Sequence, residues 1–389
     1  MSLRWAKKID ALSESMTVAV SDRARELQQQ GVRVVNLGGG DPDFDTPPHI
    51  VAAAAAAIGK GFTHYVASRG IPDLRNAIAA KFQRDNGVAY DPDTEIVVTA
   101  GGKLALFIAL AALVEPGDEV LIFDPAWVSY APMIQMLDGV PVEVPLRPEE
   151  NFVLNPEAIG RRITPRTRAM ILNSPNNPTG RVLAAKELAA VAAAARERAI
   201  WVLSDEIYEP IVYDGHRHIS LASLPGMRDL TVTINGMSKT YAMTGWRLGY
   251  LGAPAALCEQ ILKVQQHVVT CAPSFTQAAG VAALQGPQEC VAEMVAEYDR
   301  RRRFMTAALN AIPGVRCPLP EGSFYLFPHV AYRGMDSNAL ARFLIEEAHV
   351  AVTPGAAFGR TAAQNIRLTF ATSMANLRQA AEQLKAAMI

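Results

Sequence analysis

The sequence predicts an α/β fold, in which a large unit built on a mainly parallel sheet flanked by helices is followed by a smaller α+β unit. Three observations predict it. From about residue 49 to 286, apolar strand-like runs alternate with helical patterns, and such alternation places parallel strands in one sheet with helices on both faces. After residue 286 the order changes: a long charged helix over 290–311 leads to strand-like segments at 323–327 and 365–370, with helices between and after. A chain of 389 residues also exceeds what one hydrophobic core usually serves.

The elements follow in chain order. Residues 50–58, mostly alanine, form a helix, as do residues 73–86, and residues 96–99 form a strand. VVTAGGKLALFIAL, residues 97–110, reads as strand, glycine turn and apolar helix. The amides of Gly101, Gly102 and Lys103 therefore open a helix N-terminus, where anions are favoured. GGKL lacks the spacing and the Ser/Thr of a Walker loop, and Gly38, Gly39 and Gly40 do not fit the dinucleotide pattern. Strand 119–123 comes next. AMILNSPNNPTG, residues 169–180, is an apolar strand running into Asn-Pro turn chemistry, and after a helix at 184–198 the segment WVLSDEIYE, residues 201–209, is a strand ending in an acid.

Ligands of an open parallel sheet sit at the carboxyl ends of its strands, so Asn177, Asp205 and Tyr208 converge on one crevice. Alone, Asn177 is an ordinary turn residue before Pro178 and Asp205 an ordinary helix N-cap; the set carries the argument. Lys239 joins it from INGMSKTYAMTGWRLGY, residues 234–250. It falls in a loop between strand-like runs at 230–234 and 247–251, broken by Gly236 and Gly245. Ser238, Thr240, Thr244 and Arg247 place hydroxyls and a fixed cation within eight positions. That setting suits a phosphate held beside an amine able to form a Schiff base. Arg367, inside the apolar run NIRLTFATS, is costly to bury without a carboxylate partner and points to an anionic ligand.

The motifs NSPNNPTG, SDEIYE, SKTYAMTGWRLGY and NIRLTFATS resemble, in order, those of the class I aminotransferases, the aspartate aminotransferase family of fold type I pyridoxal-phosphate enzymes. The resemblance extends from about residue 13 to 389. It implies that Lys239 joins the cofactor's aldehyde covalently and moves a proton between substrate Cα and cofactor C4′. Asp205 would pair with the pyridinium nitrogen, keeping it protonated, and Asn177 and Tyr208 would hydrogen-bond O3′. Gly101, Gly102, Lys103, Ser238 and Arg247 would hold the phosphate, with Tyr65 reaching it from the neighbouring subunit. Trp127 would stack on the ring. Arg367, helped by the Gly40 backbone and the Asn177 side chain, would bind the substrate α-carboxylate.

The family often carries a serine three residues before its lysine. Gly236 stands there, which leaves Ser238 as the substitute hydroxyl. In one subgroup the lysine of GGK reaches the distal carboxylate of dicarboxylic substrates, and Lys103 occupies that position. The expected protein is thus a homodimeric aminotransferase acting on an L-amino acid and a 2-oxo acid through pyridoxal 5′-phosphate, with aspartate and 2-oxoglutarate as the pair. Alanine, methionine or aromatic amino acids are alternative substrates, and a lyase of the same fold is an alternative enzyme. The resemblance also implies a large domain over 46–290 and a discontinuous small domain from 1–45 and 291–389.

Composition excludes other classes. A formal net charge of -1 offers no electrostatic reason for nucleic acid or an anionic membrane as partner. A regulator with an aminotransferase-like body would need a DNA-binding domain ahead of the matched region. Four cysteines, at 258, 271, 290 and 317, lack metal-binding spacing and read as reduced thiols. The opening MSLRWAKKIDALSESM has no signal-peptide core, and no apolar run approaches ~18 residues, so a soluble cytoplasmic protein is expected. Arg300 to Arg303 reads as a solvated helix face or an interface.

Overall fold

The computed structural model describes residues 6–10, 12 and 16–389. The stretch read above for a targeting signal, residues 1–16, lies mostly outside the described residues, as does the start of the resemblance at residue 13. Seven strands form the central sheet: β1 (Ile96–Thr99), β2 (Glu119–Asp124), β3 (Val140–Pro145), β4 (Thr167–Asn173), β5 (Trp201–Asp205), β6 (Thr231–Gly236) and β7 (Gly249–Gly252). Their order is β1-β7-β6-β5-β4-β2-β3. Neighbours run parallel except at β7, which is antiparallel to both β1 and β6.

Near-continuous apolar strands need cover on both faces, and helices supply it. Helices Gly102–Leu113 and Ala255–Val268 set Leu106, Ile108, Leu257 and Ile261 against Val97, Ile122 and Leu203. Helix Ala185–Arg198 sets Leu188, Val191 and Ala192 against Leu121, Met170 and Val202. A further core joins helices Pro48–Gly59, Pro72–Lys81 and Ser274–Gln285 to Ile96, Val98 and Tyr250. Beyond the sheet, the 22-residue helix Glu289–Asn310 leads into short strands. There Val35–Asn36 pairs in parallel with Val350–Ala351, and Val35 and Leu37 share a core with Tyr298, Leu344, Leu368 and Leu384.

Local structure departs from expectation at four places. Lys239 sits in a single helical turn, Met237–Thr240, and not in a loop. The returning strand β7 leaves little chain between, and Met237 N donates to Leu248 O at 3.1 Å while its side chain is buried with Tyr241. The helix predicted over 73–86 is regular only to Lys81 and then widens through Phe82–Asn86, where Phe82 is fully buried and Lys81 donates to Asn86 Oδ1 at 2.7 Å. The strand at 323–327 shrinks to Tyr325–Leu326, because Ser323 takes a φ of +55° that an extended strand cannot use. The arginine run is only partly solvated. Arg302 is wholly buried against Asp214 and Asp299, and Arg301 reaches Asp43 at 2.7 Å, so nearby carboxylates absorb the charge.

All four cysteines are free, with Cys258 and Cys317 buried and Cys271 and Cys290 half-buried. Among the described residues no helix is long and apolar enough to cross a membrane.

Candidate active site

The carboxyl ends of β4, β5 and β6 open into a cleft of about 400 Å³. Register fixes this: Asn173 is the cross-strand partner of Asp205, and Asp205 of Ile234. Gly40, Gly102, Lys103, Trp127, Asn177, Asp205, Tyr208, Ser238, Lys239, Arg247 and Arg367 all line the cleft. Thr244 joins them, whereas Thr240 faces a different cavity. Gly101 and Tyr65 do not line it.

Asp205 ends β5 among apolar strands and is 5% exposed. Burial pushes its carboxyl up to about 6, opposed chiefly by the Tyr130 hydroxyl, which donates to Oδ2 at 2.6 Å. Oδ1 accepts only the Ile207 amide, at 3.3 Å, and Asp205 forms no ion pair among the described residues. A buried carboxylate in this state fits a cationic ring nitrogen. Glu206, its chain neighbour, has the opposite environment. Burial raises its carboxyl, but His218 at 2.9 Å and the hydroxyls of Ser220 and Ser204 outweigh that and hold it below the usual range.

Lys239 is half-buried and donates to Gly40 O at 2.6 Å. Burial pushes its ammonium down to about 8; Asp41 and Asp205 oppose that shift and Arg367 and Arg247 add to it. About a tenth of the amine is therefore neutral at pH 7, far more than for an ordinary lysine, as a nucleophilic amine requires.

Arg367, on strand Ile366–Thr369, is 2% exposed. Its guanidinium lies over the rings of Tyr325 and Phe358, 4.4 and 4.9 Å from their centroids. It donates to Gly38 O at 2.6 Å and to Asn177 Oδ1 at 3.0 Å, and Nε has no partner. Carbonyls and rings orient this cation but leave its charge uncompensated among the described residues. A carboxylate ligand would complete it. Because Asn177 Oδ1 accepts from Arg367, its amide nitrogen is left to donate to a ligand.

The phosphate-sized end is built from backbone. Gly102 and Lys103 open helix Gly102–Leu113, and their amides have no acceptor inside the helix. Arg247 lies against this turn: at Gly101, with φ +93°, a Cβ would come 2.4 Å from Arg247 Nη2, so only glycine fits. Arg247 forms no ion pair among the described residues and donates to Thr244 O at 2.8 Å. Gly236 stands where a serine is common in the family, and a Cβ there would come 3.0 Å from Gly249 Cα and Leu248 O, a tight fit against backbone. Ser238 is the hydroxyl that lines the cleft. Lys103 Nζ rests 4.9 Å from the Trp127 ring centroid, and burial, with Arg247 adding, lowers its pKa. Tyr65 is 84% exposed and is not among the residues lining its own chain's cleft.

Sequence reasoning missed four polar lining residues, Asp41, Tyr130, Asn173 and Tyr325, and the apolar Leu106 and Ile207. Tyr325 exchanges a 2.9 Å hydrogen bond with Tyr208 and stacks on Arg367. Tyr130 follows Trp127 by three residues, and Asn173 opens the motif NSPNNPTG already singled out.

The family model for aminotransferases of class I and II matches residues 32–384. The chain is 42% identical over 384 residues to an aspartate aminotransferase of Musicola paradisiaca, covering 98% of this chain and 96% of that protein. It is also 42% identical to an aromatic-amino-acid aminotransferase of Thermococcus litoralis, covering 96% and 97%. The solved structure of Thermus thermophilus aspartate aminotransferase with maleate superposes with a TM-score of 0.94 at 41% identity, covering 99% of this chain and all of that one.

The Tyr130 hydrogen bond yields a prediction. In Tyr130→Phe the Asp205 anion loses its shortest donor, worth ~1.5–3 kcal/mol for a charged acceptor, so the carboxyl should titrate higher. The pH at which pyridoxal phosphate affinity falls, followed by absorbance titration, should move upward in the variant. An unchanged pH profile would reduce Tyr130 to packing.

Proposed function

Because the chain belongs to the family of class I and II aminotransferases, we propose that it uses the cleft to move the amino group of aspartate to 2-oxoglutarate. That it is a pyridoxal-phosphate-dependent aminotransferase, working on amino and 2-oxo acids, follows from the family. The cofactor, when bound, supplies an aldehyde that captures the amino group and a protonated ring that withdraws electrons from Cα. The chain supplies the rest. Lys239, its pKa pushed down to about 8, would offer a neutral amine to the aldehyde and, once the substrate's amine has displaced it, would move the proton taken from substrate Cα. Asp205 would hold the ring nitrogen, Asn177 and Tyr208 would hold O3′, and Trp127 would cover the ring. The backbone amides of Gly101, Gly102 and Lys103, with Ser238 and Arg247, would hold the phosphate. Arg367, with Gly40 and Asn177, takes the α-carboxylate that every amino acid shares.

The observation that carries the dicarboxylate reading is Lys103, a further cation with no ion pair among the described residues, lining the same cleft as Arg367. Support comes from the relatives named aspartate aminotransferase and from the one solved with maleate, itself a dicarboxylate. Aromatic substrates are the second reading, favoured by the Thermococcus relative.

We further propose a large domain over 46–290, a small one from 1–45 and 291–389, a cytoplasmic location, and a two-fold homodimer. Tyr65 supports the dimer: an aromatic 84% exposed, near the exposed Val51 and Ile58 of helix Pro48–Gly59 in sequence, suits a residue completing the partner's site.

Two measurements test these readings. Lys103→Ala should lower kcat/KM for aspartate and glutamate by roughly ten- to hundredfold, the ~1.5–3 kcal/mol of a hydrogen bond to a charged group, and leave alanine nearly unaffected. Arg367→Ala should impair every amino acid. Equal losses for aspartate and alanine in Lys103→Ala would assign that lysine to the phosphate and remove the dicarboxylate reading. For the dimer, mixing inactive Lys239→Ala with inactive Tyr65→Phe protein should restore part of the activity, and mixing Lys239→Ala with Arg367→Ala should restore less. An active monomer at assay concentration would refute site sharing.

A further inference from the structure

A second cleft, open and of about 650 Å³, exceeds the active-site cleft of about 400 Å³. It lies behind the strand end that delivers Lys239. Asn235 and Gly236 of β6 form its floor, and Val291, Ala292, Val295 and Ala296 of helix Glu289–Asn310 form an apolar wall. Their spacing puts these four on one helix face.

Two polar side chains in the floor are incompletely satisfied. Asn235 and Tyr250 are cross-strand partners on β6 and β7, so their side chains stand beside each other on one face of the sheet. They are 1% and 2% exposed, and both line the cleft. Among the described residues Asn235 Nδ2 has no hydrogen-bond partner, and the Tyr250 hydroxyl has none either. Buried donors are nearly always paired; Asn235 Nδ2 is buried without a partner among the described residues, and the neighbouring Tyr250 hydroxyl, which lines the cleft, is free to pair with an acceptor from outside the chain.

Charge narrows the chemistry. The lining contains Lys81 and Arg84 against Asp85, Glu209, Asp214 and Asp299, which disfavours an anion. Each carboxylate is already paired, Glu209 with Lys81, Asp85 with Arg84, and Asp214 and Asp299 with Arg302 and Arg303, so a cation finds no free counter-charge. We propose that this cleft binds a neutral small molecule carrying an amide or ring carbonyl on an apolar body. The carbonyl accepts from Asn235 Nδ2 and the Tyr250 hydroxyl, and the body lies against Val291 and Val295. The volume and the few convergent polar groups are those of small-molecule sites. An occupant touches both the strand leading to Lys239 and helix Glu289–Asn310, so its binding is coupled to their relative placement.

Three isosteric probes test the proposal on the pyridoxal-phosphate-loaded enzyme: benzamide, benzoate and benzamidine, which share a shape and differ in charge. Binding is followed by ligand-observed NMR titration in wild type, Tyr250→Phe and Ala292→Trp, the last filling the cleft. No amino acid substrate is present, so the outcome is independent of the aspartate reading. Benzamide should bind saturably, Tyr250→Phe should weaken it by roughly 3- to 10-fold, the worth of one hydrogen bond, and Ala292→Trp should abolish it. An unchanged absorbance spectrum of the Lys239 adduct in both variants shows that the active site is intact. Benzoate also meets Arg367, so only the binding that Ala292→Trp removes is compared, and there benzoate and benzamidine should be the weaker. Failure of benzamide to bind, equal binding of the three probes in this cleft, or benzamide binding untouched by Tyr250→Phe would each overturn the proposal.

Discussion

A carboxylate held among apolar strands, with no ion pair among the described residues, is the constraint on which this site depends. Asp205 titrates near 6 where an exposed aspartate titrates near 3.8, which corresponds to about 3 kcal/mol of folding free energy forgone at neutral pH. Folding tolerates that because the sheet around it is fully covered by helices and the core is large. Lys239 and Arg367 are desolvated in the same way, the first pushed down to about 8 and the second stripped of any carboxylate partner among the described residues. Three charges of this kind in one cleft are difficult to explain as stability devices and simple to explain as a set awaiting a cationic ring, an aldehyde and an α-carboxylate.

The contrast between Asp205 and Glu206 makes the point at atomic scale. The two are adjacent in sequence and both buried, yet Glu206 is given His218, Ser204 and Ser220, while Asp205 is given one phenol and a long amide contact. Strand alternation sends their side chains to different surroundings. Glu206 is satisfied within the chain and belongs to the scaffold, with Glu209, Asn86 and Lys81 continuing the network. Asp205 is left incomplete toward the cleft. Two carboxylates with opposite environments thus separate structure from chemistry.

The alternation of strands and helices was legible, as were the strand ends that carry Asn177, Asp205 and Lys239, because periodicity and turn residues report local conformation directly. The antiparallel return of β7 was not. It decides that Lys239 sits in a tight helical turn, and a tertiary pairing of this kind leaves no local pattern. Tyr130 and Tyr325 escaped for the same reason: each acts by touching a residue far away in sequence, Asp205 and Tyr208, and a buried tyrosine looks like any core aromatic until its hydroxyl partner is known. Arg302 was misjudged because its compensating carboxylate, Asp214, lies 88 positions away in the chain. The motifs located the site, and the contacts that tune it had to come from the fold.

The most direct measurement is the pH dependence of unfolding free energy for cofactor-free wild type and cofactor-free Asp205→Asn. A carboxyl whose folded pKa is raised lowers stability as pH rises from about 3.8 to about 6, and the full cost persists above that range. The neutral amide can still accept from Tyr130 and escapes this cost. Asp205→Asn should therefore be the more stable protein at neutral pH, by an amount that vanishes as the pH falls below the aspartate range, and it should bind pyridoxal phosphate more weakly. A wild-type protein more stable than Asp205→Asn at neutral pH without cofactor would contradict the account, because Asp205 would then be a satisfied structural carboxylate.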